Sequence, residues 1–339
     1  MTRQPREPRL SDVAERAGVS PTTVSRVLNH RGYLSQTTKD RVAQAITELG
    51  YRPNQVARSL LGQRTNMIGV IMPTVSLPFF GEVVATLEHA LGRHGYRTLL
   101  CNSMGRAEAE SEYLAQLLGN RVDGIISGAH NDSIPTYATT RLPVVTIDRE
   151  LAPHIPNFRA DNVAGGRLAT ELLLERGARR PALFTSRSSA RNGRERGYRA
   201  VLADAGIPPI VSTVEFHTPE PERTRLIHAA LDQHAGEIDA VFATDDLTAG
   251  TVLEWVRGTG RRVPEAFKVV GFDGTEAIRR AMPWLTTVRQ PIEQICLSAV
   301  DALLERIEQG VPQGGGPDDG SAPVPPMEFP VTLVEGATA

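Results

Sequence analysis

The first fifty positions alternate apolar and polar residues with the spacing of short helices that bury one side. In the first of these helices, apolar residues recur at i, i+3, i+4 and i+7. Ser11 is available as its N-cap, and Gly18 ends it. The apolar positions of this predicted helix are Leu10, Val13, Ala14 and Ala17.

A second short helix is predicted directly after the glycine turn. Ser20 is its candidate N-cap, and Pro21 suits a first helical turn. Val24, Val27 and Leu28 cluster on one side of a helical wheel, which predicts a buried stripe. The opposite, polar side carries Thr22, Ser25, Arg26 and Asn29.

A third helix is predicted over residues 37–49, with Val42, Ala45, Ile46 and Leu49 facing inward. Two short helices joined through a glycine turn, with a third that closes a small core, are typical of a helix-turn-helix. The second helix of that motif can enter the major groove of DNA. An ordinary helical hairpin with a solvated face would have the same spacing.

Charge and side-chain chemistry favour the DNA-binding interpretation. Residues 1–65, here called the head, carry a formal charge of +6, against −8 for the remaining chain and −2 overall. A basic segment is typical of a polyanion partner, although a solvated basic terminus is the alternative. Arg26 can donate two hydrogen bonds to guanine, and Thr22, Ser25 and Asn29 can meet base edges or phosphates.

The rest of the chain alternates short β-branched runs with amphipathic helices, such as those predicted over 80–94, 108–118 and 194–205. This βαβ rhythm predicts two α/β lobes, each with a parallel sheet covered on both faces. Ligands of such sheets bind beyond the carboxyl ends of the strands. The predicted strands are NMIGVIMP, TLLCNS, DGIISGA, PVVTID, PALFTS, VSTVEF, DAVFAT, KVVGFD and, at the end, FPVTLV.

Polar and aromatic residues follow several of these strands. Carboxylates and arginines can bind sugar hydroxyls, and an aromatic face can cover the apolar side of a sugar ring. Each residue also has a structural interpretation, since an aspartate after a strand can cap a helix and a phenylalanine can belong to the core. The residues at these strand ends are Pro78, Phe79, Phe80, Asp148, Arg149, Thr244, Asp245, Asp246 and Asp273.

The sequence lacks the motifs of the enzyme classes that share such lobes. No G-x-G-x-x-G follows a strand, and neither a phosphate-binding P-loop nor a G-x-S-x-G elbow is present. Cys101 and Cys296 are too few for a disulfide framework, and the histidines lack metal spacing. We therefore expect no enzyme activity, no cofactor and no metal. Without a signal sequence or an apolar span, the expected location is the cytoplasm, away from any membrane.

Three segments resemble the LacI/GalR family of bacterial transcription regulators. They are LSDVAERAGVSPTTVSRVLN at 10–29, GYRPNQVARSL at 50–60, and the strand NMIGVIMP. The resemblance implies a helix-turn-helix head and a hinge helix that inserts Leu60 into the minor groove. The implied DNA-binding residues are Ser20, Pro21, Thr22, Thr23, Ser25, Arg26, Asn29, Asn54, Ala57 and Leu60.

The resemblance also implies a domain plan with a type I periplasmic-binding-protein fold. The helix-turn-helix domain is expected over 1–53 and the hinge helix with its linker over 54–65. Residues 66–339 form the effector-binding domain, and residues 312–326, rich in glycine and proline, form a flexible loop. The two subdomains are expected to comprise 66–160 with 291–311, and 161–290 with 327–339.

The implied effector site lies in the cleft between these subdomains. Two positions depart from the family pattern. Thr244 stands where the family commonly has an asparagine, and Leu77 stands where ribose-binding members carry a second asparagine. The remaining matches favour a ribose-like sugar or a nucleoside. The full set comprises Phe79, Phe80, Asp148, Arg149, Asp161, Arg194, Thr244, Asp273 and Gln290.

The expected function is sequence-specific transcriptional repression controlled allosterically by this effector. Two chains pair into a homodimer and present two heads to a nearly palindromic double-stranded DNA operator. Effector binding changes the angle between the lobes and releases the DNA. Two alternatives remain open: a ligand that acts as corepressor, and a sugar-binding transport protein with the same cleft.

Overall fold

A computed structural model describes residues 8–28, 32–51, 64–129, 131, 134–215, 217–310 and 324–339 of the chain. The chain divides into two compact units, Met1–Thr65 and Asn66–Ala339. The implied hinge helix, with Asn54, Ala57 and Leu60, lies outside the described residues, as do Asn29 and most of the glycine- and proline-rich loop.

The head contains the predicted trio of helices: α1 (Leu10–Ala17), α2 (Pro21–Leu28) and α3 (Gln36–Leu49). Each helix turns an apolar stripe inward, as the spacing predicts. α1 and α3 both end at a glycine in the left-handed conformation. The buried core residues are Val13, Ala14, Ala17, Val24, Val42 and Ala45.

Two helix starts differ from the prediction. Ser11 lies inside α1, whose first turn is closed instead by the Asp12 carboxylate, which accepts the Arg9 N–H at 2.7 Å. α3 begins one residue earlier than predicted because Ser35 is its N-cap and accepts the Thr38 N–H at 3.3 Å. In both cases the side chain that can reach an orphan N–H determines the boundary.

The larger unit contains two six-stranded sheets. The first consists of β1 (Met67–Met72), β2 (Arg97–Asn102), β3 (Gly124–Ser127), β4 (Val144–Ile147), β5 (Asn157–Ala160) and β11 (Met327–Phe329), in the order β11-β5-β4-β3-β1-β2 with parallel pairing. One face is covered by α4 (Pro78–Arg93) and α12 (Ile292–Gln309), the other by α5 (Ala107–Gly119) and α6 (Pro135–Thr139). We call this the first lobe.

The second sheet consists of β6 (Pro181–Thr185), β7 (Ile210–Thr213), β8 (Ala240–Ala243), β9 (Lys268–Asp273), β10 (Thr287–Arg289) and β12 (Thr332–Val334), in the order β12-β10-β9-β8-β6-β7. Only the β10–β12 pair is antiparallel among these described strands. α7 (Asn162–Glu175) and α8 (Gly193–Asp204) cover one face, and α9 (Glu222–Gln233), α10 (Asp246–Gly258) and α11 (Glu276–Ala281) cover the other. This sheet and its helices form the second lobe.

The last predicted strand divides between the two lobes. Met327–Phe329 pairs with β5 of the first sheet, whereas Thr332–Val334 pairs with β10 of the second. Residues 327–339, assigned to the second subdomain from the sequence, therefore begin in the first lobe. Pro330 separates the two strands, and a proline cannot donate to a sheet ladder. The sequence also gave no strand prediction for β5 or β10, each of three or four residues.

α7 and α8 pack closely enough for their backbones to touch. A Cβ atom at Gly166 would collide with the Arg194 carbonyl, and one at Gly197 would collide with the Val163 carbonyl. Glycine at these positions removes the side chain that would hold the helices apart. The contact fixes the first turn of α8, which carries Arg194, beside the first turn of α7.

Candidate functional site

The polar face of α2 is presented to solvent, as predicted. Pro21, Thr22 and Arg26 are exposed, while Val24 of the same helix is fully buried. Ser20 accepts the Thr23 N–H at 3.1 Å, and the two hydroxyls lie 2.9 Å apart. Ser20 and Thr23 therefore fix the start of α2. Of the residues predicted to contact base edges, Thr22 and Arg26 are exposed and Ser25 is half-buried.

In the larger unit, the carboxyl ends of the strands of both lobes surround a cavity of about 570 Å³. Most of the predicted effector residues line it. Two do not lie on its wall, Asp161 and Gln290. The predicted residues that line the cavity are Phe79, Phe80, Asp148, Arg149, Arg194, Thr244 and Asp273.

Arg194 is the most densely bonded of these side chains. Its Nε donates to Asn162 Oδ1 at 2.7 Å, its Nη1 donates to the Thr244 carbonyl, and its Nη2 lies 3.5 Å from Asp273 Oδ1. The guanidinium also stacks on the Phe272 ring, 3.8 Å from the centroid. These contacts use the planar fork of the guanidinium, so they hold it in one orientation within the cleft.

Asp273 ends β9 with φ of 101°, a conformation that non-glycine residues rarely adopt. Its Oδ1 accepts from Gln290 Nε2 at 2.8 Å in addition to the Arg194 contact. Burial raises the pKa of Asp273 well above its usual range, although Arg194 opposes the shift. Gln290 thus acts behind Asp273: it is buried and orients the carboxylate that lines the cavity.

Asp161 directly follows β5 and caps the next helix. Its Oδ1 accepts the Ala164 N–H at 2.8 Å and caps α7. The next residue, Asn162, lines the cavity and binds Arg194. Sequence reasoning selected the cap and missed its neighbour, because the choice depends on the direction in which the first turn of α7 faces.

The two aspartates after β8 divide their roles. Asp245 caps α10 by accepting the Thr248 N–H at 2.8 Å, and it lies 3.4 Å from Arg223 Nη2. Arg223 is buried and lines the cavity. It was not predicted from the sequence, because the charged and polar run ERTR at the start of α9 is typical of a solvent-exposed helix turn. Asp246 is buried, and burial raises its pKa to about 7.

The first lobe contributes a smaller polar set. Asp148 follows β4 with φ of 66°, and Arg149 comes next. Phe79 and Phe80, with ring centroids 5.1 Å apart, line the cavity and also belong to the core of the first lobe. Both structural interpretations given for these phenylalanines therefore hold: the two rings line the cavity and also pack in the hydrophobic core.

Thr244 contributes its carbonyl to Arg194, while its own side chain is buried. A residue of any type could offer this carbonyl, so the departure from asparagine leaves the anchor of Arg194 intact. Across the residues described, no group of three or more His, Cys, Asp or Glu side chains could hold a metal ion. No helix in the same set is long and apolar enough to cross a membrane.

Comparison with known proteins matches both units. Residues 9–54 match the family described as bacterial regulatory proteins, lacI family, and residues 170–338 match the periplasmic binding protein-like domain. The sucrose operon repressor of Pediococcus pentosaceus is 43% identical over 98% of this chain and 100% of that protein. The ribose operon repressor of Halalkalibacterium halodurans is 36% identical over 88% of this chain and 90% of that protein.

A solved structure has the same architecture. The lac repressor dimer bound to operator and the anti-inducer ONPF is similar with a TM-score of 0.83 and 27% identity, over 98% of this chain and 99% of that one. The helix-turn-helix head, the paired α/β lobes and the relatives that match over the full length all indicate the same family. The chain belongs to the LacI family and is a DNA-binding transcriptional repressor with an allosteric effector-binding domain, not an enzyme.

Proposed function

We propose that a polyhydroxylated carbohydrate binds the cavity between the lobes and lowers the affinity of the repressor for its operator. The observation that carries this proposal is the network of Arg194, Asp273 and Gln290 at the wall of an open cavity. Guanidinium donors and carboxylate acceptors beside aromatic rings suit sugar hydroxyls and the apolar face of a sugar. The relatives named as sucrose and ribose operon repressors support the same class of ligand.

The cavity size widens the set of candidate sugars. At roughly 30 Å³ per water molecule, 570 Å³ corresponds to about nineteen waters. This volume has room for a disaccharide as well as for the ribose-like sugar or nucleoside that the matched residues favour. The candidate ligands therefore include pentoses, hexoses, disaccharides and nucleosides.

In the proposed mechanism, the effector contacts both lobes and selects one angle between them. Asp148 and Arg149 would bind it from the first lobe, and Arg194 and Asp273 from the second. Two chains pair as a homodimer in the cytoplasm and hold two heads on a nearly palindromic operator. Because the effector would favour one angle between the lobes and the operator the other, effector and operator affinities would be reciprocally coupled.

The first experiment is thermal melting of the full chain against a panel of pentoses, hexoses, disaccharides and nucleosides. A ligand at about 100 times its Kd adds roughly 2.7 kcal/mol to stability. The sugar that raises Tm is then tested for release of an operator fragment selected from random DNA. Arg194→Ala should lose both responses, whereas Arg176→Ala, a surface residue paired with Glu335, should keep them.

Three results would change the proposal. A sugar that stabilises Arg194→Ala as strongly as the unmodified chain would place the ligand elsewhere. A panel without any Tm shift would reject a simple carbohydrate effector. A sugar that increases operator affinity would leave the proposed binding site in place, but it would make the ligand a corepressor instead of an inducer.

A further inference from the structure

Asp246 is a buried carboxylate that neither caps a helix nor forms an ion pair among the described residues. It is 2% exposed, and the capping role at the start of α10 belongs to Asp245. Burying a carboxylate without a charged partner is costly unless both oxygens are hydrogen-bonded. The groups that donate hydrogen bonds to Asp246 therefore show which parts of the fold this side chain connects.

Both oxygens of Asp246 are hydrogen-bonded within the second lobe. Oδ1 accepts from the Thr287 hydroxyl of β10 at 2.5 Å, and Oδ2 accepts the N–H of Gly274, just past β9, at 2.8 Å. β9 leaves room for the carboxylate, since a Cβ atom at Gly271 would collide with Oδ1. One side chain thus joins the start of α10 to the first residue of β10 and to the turn after β9.

The backbone that Asp246 holds is strained. Asp273 and Gly274 have φ of 101° and 56°, so the chain makes two consecutive left-handed steps directly after β9. A non-glycine residue in such a conformation costs on the order of 1–3 kcal/mol and persists only where its surroundings hold it. The bond to Gly274 is the contact that holds this turn from the side of α10.

The turn determines where the Asp273 carboxylate lies. Asp273 Oδ1 meets Gln290 Nε2 at 2.8 Å and Arg194 Nη2 at 3.5 Å, and both distances depend on the backbone at 273 and 274. A rotation of this turn would move the carboxylate away from both partners and out of the position that faces the cavity.

We propose that Asp246 is a positioning residue that sets the effector affinity of the cleft by holding the Asp273–Gly274 turn. Asp246 is among the residues that line the cavity, and each of its oxygens already accepts a hydrogen bond from the protein. The proposal rests on the proposed function, in which Asp273 accepts a hydroxyl of a carbohydrate. It assigns part of the binding affinity to a carboxylate that acts through the backbone at Asp273 and Gly274.

Substitution by asparagine separates geometry from charge. In Asp246→Asn the amide oxygen can still accept the Gly274 N–H, and the amide NH₂ can donate to Thr287, whose hydroxyl can accept as well as donate. Asp246→Ala removes both bonds. Thr287→Val removes one partner and leaves the bond to Gly274, so it is the matched control for losing a buried hydrogen bond at this place.

The experiment titrates the full chain and these variants with D-ribose, D-fructose and sucrose by calorimetry. For the sugar that binds, Asp246→Ala should raise Kd tenfold or more, while Asp246→Asn and Thr287→Val stay within about threefold. Operator binding without sugar should be unchanged in all three. If Asp246→Ala binds as tightly as the unmodified chain, or if Asp246→Asn or Thr287→Val loses as much affinity as Asp246→Ala, the positioning role is rejected.

A second measurement does not depend on the ligand. Hydrogen exchange of the peptide around residues 270–277 should be faster in Asp246→Ala and close to normal in Asp246→Asn. Asp273→Ala separates the two proposals: if it leaves sugar binding intact, the proposed site is wrong whatever Asp246 does. If no sugar binds, the proposed function fails, and unchanged exchange in Asp246→Ala would reject the positioning role independently.

Discussion

The operator-facing helix and the effector cleft display their polar residues in opposite ways. On α2, Thr22 and Arg26 are exposed above a core of small apolar residues. In the cleft, Arg194 and Asp273 are only 16% and 14% exposed and are bonded to the protein before any ligand arrives. The first surface is open, and the second is preorganised.

This difference has an energetic consequence. An exposed side chain on a helix acts largely alone, so its removal costs the contact that it makes with DNA. A side chain in a buried network leaves unpaired partners when it is removed, so its loss disturbs residues that do not touch the ligand. We therefore expect larger and less additive effects in the cleft than on α2.

The largest expected effect is that of Arg194→Lys. Lysine keeps the positive charge but cannot bind Asn162, the Thr244 carbonyl and Asp273 together, nor stack on Phe272. Effector affinity should fall by about 2–5 kcal/mol, measured by calorimetry with the sugar that raises Tm. Arg199→Lys, at an exposed arginine on the same helix that does not line the cavity, is the control and should change affinity little. Equal losses in both variants would contradict a preorganised role for Arg194.

A large effect is also expected from the titration of Asp246. An aspartate in the unfolded chain titrates near pH 4, whereas burial raises the pKa of Asp246 to about 7 in the folded chain. Between these values the folded state keeps a proton that the unfolded state has lost. The free energy of unfolding that Asp246 contributes is therefore present at low pH and lost as pH rises towards 7 and above.

Asp246→Asn cannot titrate, so its stability relative to the unmodified chain should increase with pH. Between pH 5 and pH 7 this window spans about two pH units, so the change is on the order of 3 kcal/mol, measured by denaturant unfolding between pH 5 and pH 8. The charged groups around Asp246, namely Asp245, Asp273 and Arg194, are present in both proteins. A difference that stays constant with pH would contradict the raised pKa.

The contrast between the two surfaces also explains what could be predicted from sequence. On the head, spacing alone gave all of the described helices to within a residue or so, because each helix has one buried side. In the larger unit, sequence predicted the long parallel strands and the strand ends near the cavity. It missed β5 and β10, and it treated β11 and β12 as one strand, because strands of three or four residues are too short to show a periodicity.

The site residues that sequence analysis missed were also missed because local patterns contain no information on tertiary contacts. Asp161 and Asn162 are adjacent, and only the packing of α7 against α8 decides that Asn162 meets Arg194. Arg223 lines the cavity because α9 places it beside Asp245, a neighbour 22 residues away in sequence. Such pairings depend on the tertiary fold, and local pattern contains no signal for them.

On the open surface, Arg26→Ala should lower the affinity for the selected operator by about 1–3 kcal/mol. The guanidinium is exposed on α2, and loss of two hydrogen bonds to a guanine reduces discrimination as well as affinity. The measurement is fluorescence anisotropy with the selected operator and with unrelated DNA. Gln44→Ala, on the exposed side of α3, is the control. A loss that is equal on both DNAs would assign Arg26 to phosphate contact.

The smallest expected effect compares two serines of the head. Ser20 caps α2 by accepting the Thr23 N–H, so Ser20→Ala should destabilise the head by about 1 kcal/mol. Ser11 lies inside α1, where alanine has the higher helix propensity, so Ser11→Ala should be neutral or slightly stabilising. Hydrogen exchange of the α1 and α2 peptides in the full chain measures both changes. If Ser11→Ala destabilised α1 as much as Ser20→Ala destabilises α2, the hydroxyl of Ser11 would be the cap, as its position in the sequence first indicated, and the start of α1 at Leu10 would be wrong.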